Sequence, residues 1–197
     1  MTLKRSPLTA MLSVVVVLAA ACSGNDSVVT TTTGSDAAPE VACSAEGLGD
    51  ATEGRDNLSP EAEAARLAAI EAALECDFET LADLANAGPQ PFQSGAGPDL
   101  VAGWAEQEAA GEEPMRVLVI LLRGTMGTVA SGSIEYRFPS AAGFSDWSEV
   151  PETLRQKLEP LYSGADWDRF EEAGVYNGHT TVISDNGAWL SYLGDFQ

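Results

Sequence analysis

Apolar and polar positions between residues 58 and 88 follow the period of an α-helix. Three large apolar residues recur at spacings of three and four and form one stripe: Leu67, Ile70 and Leu74. Ser59 before Pro60 is typical of a helix N-terminus, because the hydroxyl accepts a first-turn N–H and proline fits the first helical position. The period restarts after Asp77 and ends at a Gly-Pro pair. We therefore predict two consecutive helices.

The following residues predict a mixture of helices and strands. Residues 98–111 and 150–162 have helical spacing, whereas residues 128–140 are typical of a strand that a glycine interrupts and a proline closes. The nearly all-apolar run 115–124 fits either a buried helix or a central strand, because a short apolar run does not separate the two.

Residues 175–196 predict a β-hairpin around Asn186-Gly187, the strongest short hairpin signal. A two-residue turn pairs Thr181 with Tyr192, Val182 with Ser191, Ile183 with Leu190 and Ser184 with Trp189. A three-residue loop with Gly187 left-handed would instead shift the pairs by one residue on one strand. The predicted class is α+β, with N-terminal helices packed on an antiparallel sheet that ends in this hairpin.

The helix pair, with DFETLADL at residues 77–84, resembles the opening of NTF2-like (SnoaL-type) domains. In those domains an extended piece and a third helix follow, to which residues 91–97 and 98–111 correspond. The resemblance spans about a third of the chain. It implies a cone whose bent sheet wraps a pocket, which serves as an enzyme site in some members and as a binding cavity in others.

The N-terminal apolar run, Leu8–Ala21, has 14 residues and follows two basic ones. It is shorter than the roughly 20 residues of a membrane-spanning helix and is typical of a secretory signal peptide. The small residues before Cys22 resemble the lipobox of bacterial lipoproteins, although the leucine stands one place early, at Leu18. This resemblance covers residues 1–22. It implies that Cys22 receives a diacylglyceryl group and becomes the N-terminus after cleavage.

One alternative is an ordinary signal peptide cleaved at an A-x-A site, with Cys22 as a spare thiol, and another is an uncleaved membrane helix. In the lipoprotein and in the ordinary signal peptide, residues 1–21 are removed. Residues 22–42 are rich in Ser, Thr, Gly and Asp, a composition that does not fold on its own, and predict a flexible tether. The threonines at 30–33 fit a bare polar tether or an O-glycosylated one. Residues 43–197 are then a single ectodomain on the extracytoplasmic face of the cell membrane.

The chain has 3 cysteines, and an odd number in an exported protein asks for an explanation. If Cys22 is acylated, Cys43 and Cys76 remain as a pair in an oxidising compartment, where disulfides persist. We therefore predict a Cys43–Cys76 disulfide; two separate buried thiols are the alternative.

Removal of residues 1–21 leaves 8 basic and 30 acidic residues, a formal charge of −22. Nucleic acid and anionic lipid headgroups would be repelled by this charge. We therefore expect membrane attachment through lipid at Cys22 and no nucleic-acid partner. A small ligand or another envelope protein remains a candidate partner.

Motifs for catalysis or cofactor binding are not found in the sequence. The chain lacks a nucleophile elbow, a phosphate-binding loop and a dinucleotide motif, and His179 is the single histidine of the sequence. We predict no catalytic residue, no metal site and no cofactor. Acidic residues of the run 165–174 could hold calcium or form a solvated helix start: Asp166, Asp168, Glu171 and Glu172. Aromatic residues could line a ligand groove or form the core: Trp104, Trp147, Trp167, Trp189 and Tyr192. We expect Trp147, Trp167 and Phe170 to cover the sheet.

The sequence thus predicts a membrane-anchored envelope lipoprotein whose ectodomain binds a ligand or partner without catalysis. Its sparse lysine and abundant alanine also resemble uncharacterised secreted domains of high-GC bacteria. Two alternatives remain open: an envelope hydrolase that uses a carboxylate pair in an NTF2-like pocket, and a structural or assembly factor for other envelope proteins.

Overall fold

A computed structural model describes residues 42–49, 55, 57–130 and 133–194, all within one compact unit, Pro39–Gln197. The predicted signal peptide, Cys22 and nearly all of the predicted tether lie outside the described residues. The elements are α1 Pro60–Leu74, α2 Phe78–Asn86, β1 Gln93–Ser94, α3 Leu100–Ala110, α4 Pro114–Arg123, β2 Gly127–Ala130, β3 Ile134–Phe138, two 3-10 turns at Ser140–Gly143 and Trp147–Glu149, α5 Glu152–Gln156, α6 Gly164–Ala173, β4 Thr180–Ser184 and β5 Trp189–Leu193.

The two predicted N-terminal helices are confirmed as α1 and α2. The Ser59 hydroxyl accepts the N–H of Ala62 at 3.1 Å, and so caps α1. The buried face of α1 differs from the predicted stripe, because Leu67 and Leu74 are only partly buried. Besides Ile70 and Arg66, the buried positions of α1 are alanines: Ala62, Ala69, Ala72 and Ala73. Small side chains there allow α1 and α4 to pack closely.

For residues 115–124 the apolar pattern did not decide between a helix and a strand. They form helix α4 and its C-terminal cap, Gly124. Its buried positions include Met115, Leu118, Val119 and Leu122, which follow the spacing i, i+3, i+4, i+7 of a helix face. Pro114 occupies the first turn, where its fixed φ favours a helix. The Glu113 backbone before it is left-handed, with φ 54°, and so turns the chain from α3 into α4.

The sheet has five strands in the order β1-β5-β4-β3-β2. β1 runs parallel to β5, and the other neighbours are antiparallel. The prediction of one interrupted strand at 128–140 was wrong: β2 and β3 are two antiparallel strands, with Thr128 opposite Tyr136. The chain therefore reverses direction between β2 and β3.

The C-terminal hairpin is confirmed, but its loop has three residues. Gly187 is left-handed, with φ 82°, and the N–H of Ser184 donates to the carbonyl of Ala188 at 2.9 Å. Next to the loop the register is therefore shifted, with Ile183 opposite Trp189 instead of Leu190. The irregularity between Val182 and Ile183 absorbs this shift.

Beyond the irregularity, Val182 faces Ser191 and Thr181 faces Tyr192, as the two-residue turn predicts. The extra residue in β5 also places Trp189 and Tyr192 in the same core, although they are three residues apart on a strand. Their rings stack with centroids 6.5 Å apart.

The helices pack on one face of the sheet and enclose the main core. The sheet contributes five buried residues to that core: Tyr136, Phe138, Ile183, Trp189 and Tyr192. The helix predicted at 150–162 is shorter than expected, since α5 ends at Gln156 and turns follow. Proline at position 160 has no N–H to continue a helix.

Trp147, Trp167 and Phe170 pack with Tyr162 and Tyr176 in a second cluster, separate from the main core. The expectation that the first three cover the sheet is corrected accordingly. The two rings of Trp147 and Trp167 stack at 5.9 Å.

The predicted disulfide joins Cys43 to Cys76, with Cα atoms 5.7 Å apart. It links the start of the described chain to the end of α1. Helices on a mixed five-stranded sheet confirm the α+β class, whereas the NTF2-like cone stays a prediction. None of the helices in the described ranges is both long and apolar enough to cross a membrane.

Candidate functional site

A groove with a volume of about 920 Å³ lies beside the C-terminal half of α4. The residues before and within β2, Thr125–Thr128, form one wall, and the turn that begins at Ser140 forms another. The apolar part of its surface comes from seven residues: Leu48, Val119, Ile120, Met126, Phe144, Leu154 and Pro160. The groove is open to solvent along one side and is not an enclosed cavity.

Three basic side chains line this groove: Arg55, Arg123 and Lys157. They are three of the 8 basic residues that remain after the predicted signal peptide is removed. Among the described lining residues there is no Asp or Glu, although the chain has 30 of them. The described lining of the groove is therefore basic, on a strongly acidic protein.

Arg55 is held at the C-terminal end of α4. Its Nη2 donates to the carbonyl of Arg123 at 2.6 Å and to that of Gly124, which lack partners within the helix. Burial, and then the nearby charge of Arg66, lower the pKa of Arg55 from its usual value. The Arg55 guanidinium also lies over the ring of Phe138, with Cζ 5.8 Å from the ring centroid.

Arg123 connects α4 to the N-terminal segment of the domain. Its Nη1 donates to the carbonyl of Leu48 at 2.8 Å and its Nη2 to that of Gly49 at 2.5 Å. Its Nε is buried without a hydrogen-bond partner in the described structure, and the same is true of the Ser140 hydroxyl. Both atoms are buried, and a buried polar group without a partner is costly to the fold.

Lys157 differs from the two arginines because its ammonium group makes no hydrogen bond or ion pair with the described residues. It follows α5, and its side chain is exposed. A ligand in the groove can attract its ammonium group without breaking an existing contact.

The residues singled out in the sequence lie elsewhere. His179 donates its N–H to the Tyr162 hydroxyl at 2.7 Å and accepts at its carbonyl from the Tyr176 hydroxyl at 2.6 Å. Asp166 accepts from the N–H and the hydroxyl of Ser163 and so caps α6. Within the described part of the chain, no group of three His, Cys, Asp or Glu could hold a metal ion.

The aromatic residues that might have lined a groove are largely buried, and Trp104 and Tyr192 also line a separate pocket of about 570 Å³ together with His179. Trp104 and Trp189 stack at 6.1 Å inside the main core, and Trp147 and Trp167 belong to the second cluster. None of them is among the described lining of the basic groove.

Sequence reasoning missed the basic residues of the groove, because they are separated by 68 and 34 positions along the chain. No local motif joins them. The signal that could have found them is that basic residues are rare in this chain. Because only 8 basic residues stand beside 30 acidic ones after the signal peptide is removed, the position of each basic residue is informative about a binding site. Comparison of the chain with known protein families, curated proteins and solved structures found no match.

Proposed function

We propose that this protein is an envelope lipoprotein, anchored through Cys22, whose ectodomain binds without catalysis a ligand that combines an anionic group with an apolar part. The observation that carries the proposal is the lining of the groove: three basic side chains, an apolar wall and no described carboxylate. An acidic protein repels anions in general, so a basic groove gives it selectivity for one docking position.

The chemistry of the lining supports binding more than catalysis. Its described residues include Ser and Thr hydroxyls and one Lys, but beside them no His, Asp or Glu, the most usual general bases. An exposed charge pair contributes about 0.2–1 kcal/mol. The basic residues therefore select the ligand, while burial of its apolar part against the α4 side of the groove supplies most of the affinity.

The binding proposal is tested by calorimetric titration of residues 22–197 carrying Cys22→Ala. The probes are octanoate and N-acetyl-leucinate, each compared with its neutral amide. We expect the anions to bind more tightly than their amides, and Lys157→Glu to remove this difference. Arg116→Glu is the matched control, because Arg116, on α4, is a basic residue that is 43% exposed but lies outside the described lining of the groove. If neither anion is preferred to its amide, the proposal is wrong.

The anchor is tested separately, by mass spectrometry of the protein extracted from its own membranes. We expect the N-terminal peptide to begin at Cys22 and to carry the mass of a diacylglyceryl group. The variant Cys22→Ala should leave the membrane fraction. An unmodified Cys22, or a variant that stays with the membrane, would refute the lipid anchor without affecting the groove.

A further inference from the structure

One wall of the groove is an open edge of the sheet. β2 is the last strand in the order β1-β5-β4-β3-β2, and among the described residues no strand pairs with its outer edge. Met126, Gly127 and Thr128, at the start of that edge, line the groove, and Thr128 is exposed. A free edge offers a row of backbone N–H and C=O groups that another extended chain can pair with.

The openness of the groove decides which kind of ligand fits best. An acyl chain needs an enclosed apolar cavity to leave water, and this groove is open on one side. An extended peptide loses less binding free energy in an open groove than an acyl chain does. Its backbone gains hydrogen bonds from the strand edge, and only alternate side chains need an apolar wall.

We propose that the ligand is an extended polypeptide segment that pairs with β2 as a sixth strand and places a carboxylate beside Arg55, Arg123 and Lys157. This inference rests on the proposed function and names the ligand class for the same groove. The carboxylate belongs to the C-terminus of the bound chain or to an acidic side chain. The four residues of β2 span roughly 13 Å at about 3.3 Å per residue, so the paired segment has about four or five residues.

The arrangement assigns a role to each part of the groove. The edge of β2 sets the direction of the bound chain, Ile120 of α4 offers an apolar contact to its side chains, and the basic residues fix the register by binding the carboxylate. Ile120 is the partly exposed apolar residue of α4 in the groove lining, because Val119 is fully buried in the core.

The test is a binding experiment with a pool of acetylated pentapeptides whose alternate positions carry varied apolar residues. The protein is residues 22–197 with Cys22→Ala. The peptide pool is used in three forms: with a free C-terminus, with an amide-capped C-terminus, and amide-capped with a final Glu. A fourth pool carries methyl groups on alternate backbone nitrogens, and octanoate is the non-peptide anion. The dissociation constant of each pool is measured, and amide hydrogen exchange of residues 127–130 in the protein reports whether β2 is paired in the bound state.

We expect free-acid peptides to bind and to protect the amides of β2 from exchange. Amide capping should weaken binding about 1.5- to fivefold, the size of one lost exposed charge interaction, and a final Glu should restore it only if a side-chain carboxylate can serve. Lys157→Glu should weaken binding by a similar factor, and Arg116→Glu should not. Methylation of the backbone nitrogens that face β2 should abolish binding.

The outcomes that contradict the inference differ from those that contradict the proposed function. Tight octanoate binding with no peptide binding would overturn the peptide inference and leave an anion-binding groove. Peptide binding that is insensitive to backbone methylation, or that leaves residues 127–130 unprotected, would overturn strand pairing. If neither octanoate nor any peptide binds, the proposed function fails as well.

Discussion

Glu108 and Ser44 are joined by two hydrogen bonds inside the fold. Glu108 Oε1 accepts the Ser44 hydroxyl at 2.6 Å, and Oε2 accepts the Ser44 N–H at 2.9 Å. Oε1 also accepts the N–H of Met115 at 3.0 Å, in the first turn of α4. One carboxylate, 7% exposed, therefore joins α3, the start of α4 and the segment after Cys43. A negative charge is favourable at that helix end.

Substitution Glu108→Ala should destabilise the protein by about 2–4 kcal/mol, because it leaves buried donors without an acceptor. Glu108→Gln should lower the free energy of unfolding by less than Glu108→Ala does, since one side-chain oxygen remains as an acceptor. The control is Glu106→Ala on the exposed side of α3, which should change the free energy of unfolding little. Urea denaturation gives the comparison; equal effects of the changes at 106 and 108 would show that the buried contacts contribute nothing.

Acid should weaken the contact between Glu63 and Arg66. Arg66 is 1% exposed and donates to both Glu63 oxygens, at 2.7 and 2.8 Å. This hydrogen bonding is the main reason why the pKa of Glu63 lies below its usual value. The ionised carboxylate therefore stabilises the fold above the ordinary glutamate pKa of about 4.3, and the stabilisation is lost as the pH falls through the lowered pKa.

Glu63→Gln should thus be less stable than the unchanged protein at pH 7, and this difference should shrink as the pH falls below about 4.3. Urea midpoints measured between neutral and acid pH test it. Glu71→Gln, exposed on the same helix, is the matched control and should show no such trend. A Glu63→Gln effect that stays constant with pH would mean that the ion pair is not its cause.

Removal of the disulfide should lower the free energy of unfolding by about 3–4 kcal/mol. Cys43 and Cys76 are 33 positions apart, and the estimate follows from the chain entropy of closing a loop of that length. The double variant Cys43→Ser with Cys76→Ser should show this loss in urea denaturation, and the unchanged protein should show it on full reduction. No loss in either case would mean that the other contacts alone hold the segment after Cys43.

Gly103→Ala should destabilise the protein although alanine is the better helix former. In the interior of α3 the exchange would normally gain about 0.5–1 kcal/mol. Here a Cβ would lie 1.9 Å from the carbonyl oxygen of Ala96, so the segment between β1 and α3 must move. Gly164→Ala meets nothing within 4 Å and should be neutral or slightly stabilising. Thermal unfolding of both variants checks the contrast; a stable Gly103→Ala protein would contradict the close packing of Ala96 on α3.

Local signals predicted the elements that local contacts determine. Ser59 and Asp77 cap their helices through neighbours three residues away, so the sequence around each is sufficient. The loop at Asn186-Gly187 is equally local, but its register depends on where β5 inserts an extra residue. That choice lets both Trp189 and Tyr192 enter the core, which is a tertiary effect that the turn sequence does not encode.

The groove could not be predicted for a related reason. Arg55, Arg123 and Lys157 meet only when the N-terminal segment, the end of α4 and the region after α5 are packed together. The strand edge beside them exists because β2 and β3 reverse direction, where a single strand was expected. The aromatic and acidic residues that the sequence made conspicuous instead form cores and a helix cap.

The Cys43–Cys76 bond also determines how the domain bears mechanical load. If the chain is held at Cys22, as proposed, a pull on the tether reaches Cys43 first and passes through the sulfur atoms to the end of α1. The intervening chain, which contains Leu48 and Arg55 of the groove, is bypassed by this force. Shear on the cell surface would then act on the helical layer without peeling away that wall of the binding site.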